Sequence, residues 1–133
     1  VLDPGIAREE QFVVEESELT DVGGTLGVRV LSTPRMIAMM ERNAAILAQQ
    51  HLPEGRASVG FEVCVRHVAG ALEGASCTAS AVLREVLDGR KLRFDVEVRG
   101  GDRTIGLGTH ERRVIDVGEH AGGAGARAAE PTG

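Results

Sequence analysis

One stretch limits the folds open to this chain more than any other: Ser32 to Ala48, Ser-Thr-Pro-Arg-Met-Ile-Ala-Met-Met-Glu-Arg-Asn-Ala-Ala-Ile-Leu-Ala. Thr33 suits an N-cap, and Pro34 suits the first helical position, where a missing N–H forfeits no hydrogen bond. With Ile37 at zero on a wheel turning about 100° per residue, Met36, Met40, Ala44, Leu47 and Ala48 fill one arc, and Arg35, Arg42 and Gln49 lie opposite. The helix is expected from Pro34 to about His51, where Leu52-Pro53-Glu54-Gly55 stops it. Glu41 breaks the pattern. It falls about 40° from Ile37, a carboxylate on the face that ought to be buried.

The rest of the chain reads as strand. Residues 1–10 look like a loose lead-in, and Gln11 to Glu15 is a short strand followed by acidic Glu16 and Glu18. Asp21 to Leu31 carries Gly23, Gly24 and Gly27 and is expected to be a loop ending in a partial strand. Beyond the helix, Ala57–Val68 alternates, with Val59, Phe61, Val63, Val65 and His67 on one face and Gly60, Glu62, Cys64 and Arg66 on the other. Strands near Ala75–Val86, Leu92–Val98 and Arg103–Val117 follow, joined by a hairpin at Asp88-Gly89 and a turn at Gly100-Gly101-Asp102. The order is α+β: one long central helix wrapped by an antiparallel sheet of about five strands. One helix cannot cover such a sheet, so pairing of edges into a homodimer or higher homo-oligomer is expected. Residues 1–117 form the domain, and 118–133, rich in Gly and Ala without periodicity, read as a disordered tail.

Composition removes several functions. The 133 residues include three Phe, no Tyr and no Trp, with a formal net charge of −5. Base stacking needs aromatics and phosphate tracking needs excess positive charge, so no nucleic-acid partner is expected. No apolar run approaches the roughly 18 residues of a membrane span, and Val1-Leu2-Asp3-Pro4 lacks a secretory pattern. The expected setting is cytoplasmic, with no membrane partner. Cys64 and Cys77 read as buried free thiols. His51, His67, His110 and His120 lack ligand spacing, so no metal is expected.

Three side chains could carry chemistry: Thr33, Glu41 and His67. Each has a structural reading too, as a cap, a carboxylate snorkelling at the helix edge and a satisfied interior imidazole. If the strand face bearing His67 meets the helix, an imidazole and a carboxylate share one buried layer, and a desolvated Glu has its pKa raised. Such a pair suits general acid–base work, worth about 10²–10⁴ in rate. Thr33 and Glu41 are eight positions apart, roughly 12 Å along a straight helix. A substrate must therefore span them, or a second subunit must complete the site.

The blocks Val30-Leu31-Ser32-Thr33, Met39-Met40-Glu41, Ser58-Val59-Gly60, Val63 to His67 and Ile105 to Arg112 resemble the fluoroacetyl-CoA thioesterase family of hot-dog proteins, from about Phe12 to Asp116. The resemblance implies a thioester hydrolase: an acyl-CoA thioesterase acting on a short acyl-CoA at a dimer interface, with no cofactor, since coenzyme A is part of the substrate. It implies catalytic roles for Thr33, Glu41 and His67 and substrate contacts at Gly60, His67 and Arg112. A bare glycine N–H can stabilise an oxyanion. Arg112 suits a CoA phosphate or the polar pantetheine arm, or is a surface ion pair. The family's aromatic lid ahead of the helix has no counterpart in Gly23-Gly24-Thr25-Leu26-Gly27, so no strong preference for fluoroacetyl-CoA is expected. The alternatives are an acyl-thioester hydratase or dehydratase of the same fold and a non-catalytic acyl-CoA-binding module.

Overall fold

The computed structural model describes residues 2–118. The expected tail and His120 therefore lie, beyond Gly118, outside the described residues. Seven strands and one long helix follow in the order β1 (Ala7–Val13), β2 (Leu19–Thr20), β3 (Val30–Leu31), α1 (Thr33–Gln49), β4 (Arg56–His67), β5 (Ser76–Leu87), β6 (Lys91–Gly100) and β7 (Arg103–Asp116). Five strands form one antiparallel sheet in the order β1-β5-β6-β7-β4, while β2 and β3 form a small ladder of their own. The expected α+β plan of one helix on a five-stranded antiparallel sheet is borne out.

The core lies between α1 and the inner face of the sheet. Met36, Met39, Met40, Ala44, Leu47 and Ala48 are buried on the helix, against Ala79, Ala81 and Leu83 of β5 and Leu92, Phe94, Val96 and Val98 of β6. Each large side chain among them contributes about 1.5–3 kcal/mol by leaving water. The alanines of β5 leave room for the methionines above. At the β5–β6 turn, Asp88 and Gly89 both adopt positive φ, 56° and 66°, as a two-residue hairpin requires.

Four readings of the sequence need correction. Thr33 is not the N-cap: Ser32 is, its side chain accepting from the Arg35 N–H at 3.2 Å, which moves Thr33 into the first turn. The lead-in is not loose, because β1 begins at Ala7 and pairs with β5 from Ala7↔Val82 to Val13↔Ser76. Its alternation was hidden because the inward positions Arg8 and Glu10 are charged. Arg8 meets the Asn43 side chain, and Glu10 accepts from Arg42 Nε at 3.0 Å. Asn43 is itself fully buried, donating to the Met39 carbonyl at 2.8 Å. The polar residue in the buried arc is therefore Asn43, whereas Glu41 stands on the flank, half-buried.

The fourth correction concerns β4. Its pairing with β7 slips between Gly60↔Arg112 and Glu62↔Glu111, leaving Phe61 as an extra residue. A bulge of this kind reverses the alternation beyond it. Gly60, Val63, Val65 and His67 consequently share the helix side, and Glu62, Cys64 and Arg66 turn outward. Cys64 is exposed for that reason, while Cys77 is buried as expected.

Candidate active site

The helix runs antiparallel to β4, so two contacts mark two ends of the seam between them. At the first turn, Thr33 Oγ1 lies 2.7 Å from His67 Nδ1. Depth there is set by Gly106, the β7 partner of His67: a Cβ at Gly106 would meet Met36 Sδ at 2.3 Å. The missing side chain lets the helix start sit down on the sheet. Burial holds the His67 ring below the ordinary histidine range, with the Ala69 backbone pulling the other way. A neutral imidazole beside a hydroxyl can take its proton. His67 Nε2 is buried with no hydrogen-bond partner among the described residues.

Two turns further along, Glu41 stands over Gly60. A methyl at Gly60 would lie 3.0 Å from Glu41 Oε2, 3.6 Å from Arg112 Nη1 and 3.7 Å from His110 Cε1. Arg112 is 7% exposed and is held on Ser58, Nε donating to Oγ at 2.8 Å and Nη2 to the carbonyl at 2.9 Å. It is no surface ion pair. Burial lowers the guanidinium pKa and the nearby Glu41 carboxylate opposes that shift.

The five residues assigned from sequence thus fall into two groups. Thr33 and His67 meet at one end of the seam, and Glu41, Gly60 and Arg112 gather at the other. The expected meeting of His67 with Glu41 in one buried layer does not occur within a chain. The reason is the antiparallel run of helix and strand, which carries them to opposite ends. Ser58 and His110 were missed as members of the second group. Alternation along β7 was the available signal, since His110, Arg112 and Val114 share its inner face. Among the described residues no cluster of three His, Cys, Asp or Glu side chains could hold a metal, and no helix is long and apolar enough to cross a membrane.

A long helix laid on a five-stranded antiparallel sheet, with polar residues strung along the helix–strand seam, defines the hot-dog class of proteins. A hot-dog-like protein from Thermanaerovibrio acidaminovorans shares this fold, with a TM-score of 0.83 at 23% identity over 93% of this chain and 91% of that one. The particular family follows from closer relatives. Residues 13–118 match the fluoroacetyl-CoA-specific thioesterase family, and the chain belongs to it. The fluoroacetyl-CoA thioesterase of Streptantibioticus cattleyicolor is 38% identical over 88 residues, 66% of this chain and 63% of the relative, so the match spans less than two thirds of that protein. A solved structure of the fluoroacetyl-CoA thioesterase FlK superposes with a TM-score of 0.85 at 29% identity, covering 98% of this chain and 99% of that one. Variants of FlK have been crystallised with fluoroacetate and CoA and with acetyl-CoA.

Proposed function

We propose that this chain is an acyl-CoA thioesterase that hydrolyses a short acyl-CoA to the free acid and CoA. The single observation that carries the reading is the 2.7 Å contact of Thr33 Oγ1 with His67 Nδ1, in a chain of a thioesterase family. His67, kept neutral by burial, takes a proton from the nucleophile, either Thr33 itself or a water held beside it. The new bond to the thioester carbonyl carbon expels the CoA thiolate, which leaves as the thiol once protonated; where Thr33 is the nucleophile, water then cleaves the acyl-Thr33 ester to the free acid and restores the hydroxyl. The Gly60 N–H is suited to the developing oxyanion. Glu41 orders or deprotonates water. Arg112, buried and turned inward, suits the thioester or the inner amide of the pantetheine arm rather than a phosphate in solvent. FlK variants bind CoA and acetyl-CoA, which supports the substrate class.

The active unit is a homodimer, and β4 is the strand that makes it. β4 is an edge of the sheet, with Val59, Phe61 and Val63 at 37%, 58% and 37% exposure. A second copy pairing its β4 antiparallel to the first brings the Thr33–His67 end of one protomer beside the Glu41–Gly60 end of the other. That arrangement joins groups which the helix alone holds roughly 12 Å apart, and it gives His67 Nε2 a polar neighbourhood. The exposed run Val22 to Val28 holds no aromatic side chain, so acetyl-CoA and fluoroacetyl-CoA are expected to turn over comparably.

Release of free thiol from a panel of short acyl-CoAs tests the reading. His67→Ala and Glu41→Gln should each lower kcat/KM by about 10²–10⁴. Thiol release that survives both changes refutes the mechanism. Interconversion of enoyl and hydroxyacyl thioesters without free CoA would make the protein a hydratase, and tight binding without turnover would make it a binding module.

A further inference from the structure

His110 takes no part in the chemistry above, yet it is 2% exposed and both ring nitrogens are engaged. Nδ1 lies 2.7 Å from the Glu62 carbonyl oxygen, and Nε2 lies 3.2 Å from Arg112 Nη1. These partners decide the tautomer. A guanidinium has donors only and a carbonyl only accepts, so Nε2 carries the lone pair and Nδ1 the proton. Burial favours this neutral ring and so does the Arg112 charge, while the Glu62 carbonyl and the Glu41 carboxylate act the other way. The Phe94 ring stacks beside it, centroids 6.4 Å apart at 29°. A cationic imidazole here would turn donor against donor and place two positive charges in contact.

Arg112 has five N–H groups. Nε and Nη2 each donate one to Ser58, and Nη1 donates one to His110, which leaves one on each terminal nitrogen. Ser58 grips one edge of the guanidinium plane, and His110 grips the nitrogen nearest Gly60. We propose that His110 is a positioning residue of the acyl-CoA site, accepting from Arg112 so that the remaining N–H groups face the space between Gly60 and Glu41. This rests on the thioesterase reading of that space. The ring, carried by β7, bonds to β4 just past the bulge at Phe61, so the same slip that turns Gly60 toward Glu41 also supplies the carbonyl fixing the His110 tautomer.

Two substitutions separate the two nitrogens. A glutamine amide reaches the place of Nε2 and an asparagine amide the place of Nδ1. His110→Gln keeps an acceptor for Arg112 and gives up the bond to Glu62, and His110→Asn does the reverse. The expected result is that His110→Gln retains most of its kcat/KM. His110→Asn should lose about tenfold or more, with melting temperatures close to each other. Arg112→Lys should show a loss that His110→Asn does not deepen. The reverse order, with Asn active and Gln impaired, means the ring only pins the bulge and overturns the proposal. Ring ¹⁵N chemical shifts of the unaltered, substrate-free protein provide a second readout, in which a neutral ring protonated at Nδ1 is expected. Protonation at Nε2 overturns the proposal and leaves the thioesterase reading standing. Failure of the unaltered protein to release thiol from any acyl-CoA refutes the thioesterase reading, and the positioning role with it, even with the expected tautomer.

Discussion

Gly60, with no side chain, sets a close tolerance beside Glu41. A methyl on Gly60 would stand 3.0 Å from Glu41 Oε2, and the group it presses is the free end of a flexible chain. Gly60→Ala should therefore fold with a melting temperature near that of the parent while displacing the carboxylate. A carboxylate pushed back by a few tenths of an ångström should cost on the order of tenfold in rate, less than the ~10²-fold of a 1 Å misplacement, and kcat/KM with acetyl-CoA beside a thermal melt reads both effects. The neighbouring pair at the helix start separates in the opposite way. Ser32→Ala should cost about 1 kcal/mol of stability by removing the cap, read in denaturant melts, with kcat little changed. Thr33→Val should leave stability nearly alone and abolish most turnover. From sequence the cap was assigned to Thr33, because threonine is a good capping residue and Pro34 suits the first helical position after it. Only the hydrogen bond to the Arg35 N–H distinguishes the cap from the residue free to meet His67.

At the level of elements, two glycines of β7 hold the seam closed, and they should fail differently. A Cβ at Gly108 would lie 2.2 Å from the Cys64 carbonyl oxygen and 2.6 Å from Val65 Cα, which are backbone and cannot swing aside. Gly108→Ala should open the β4–β7 ladder at a cost on the order of 3 kcal/mol. Gly106→Ala presses on the Met36 thioether, so it should cost less stability but lift the helix start and weaken the Thr33–His67 contact. Chemical denaturation ranks the first effect, and kcat at saturating substrate reveals the second. The helix, β5, β6 and β7 were legible because alternation and helical spacing were written in aliphatic residues. β1 was half hidden, since its inward side chains Arg8 and Glu10 are satisfied by Asn43 and Arg42 instead of by a greasy surface. The bulge at Phe61 leaves no trace in an apolar-alternating strand, so Gly60 and His67 were assigned to opposite faces although they share one.

Across the whole molecule, titration couples the site to stability. His67 and His110 are held by burial below the ordinary value of 6.5. Between the unfolded and folded values the unfolded chain binds the additional protons. The stability they contribute is therefore full above about pH 6.5 and falls as pH drops through the lowered folded values. Glu10 and Glu111 are held low by Arg42 and Arg113, and their contribution is lost only in more acid solution. Melting temperature should decline from neutral pH toward 5.5, an interval chosen as roughly one unit below the unfolded histidine value, and less steeply in His110→Gln. The opposed directions of helix and edge strand carry one last consequence. If each site borrows one end from each protomer, two defective proteins can repair one another. Thr33→Val and Glu41→Gln chains, each inactive alone, should on unfolding and refolding together form mixed pairs in which one site inherits both lesions and the other none. Random assortment would then restore about a quarter of the parental activity, whereas sites contained within single chains would restore nothing.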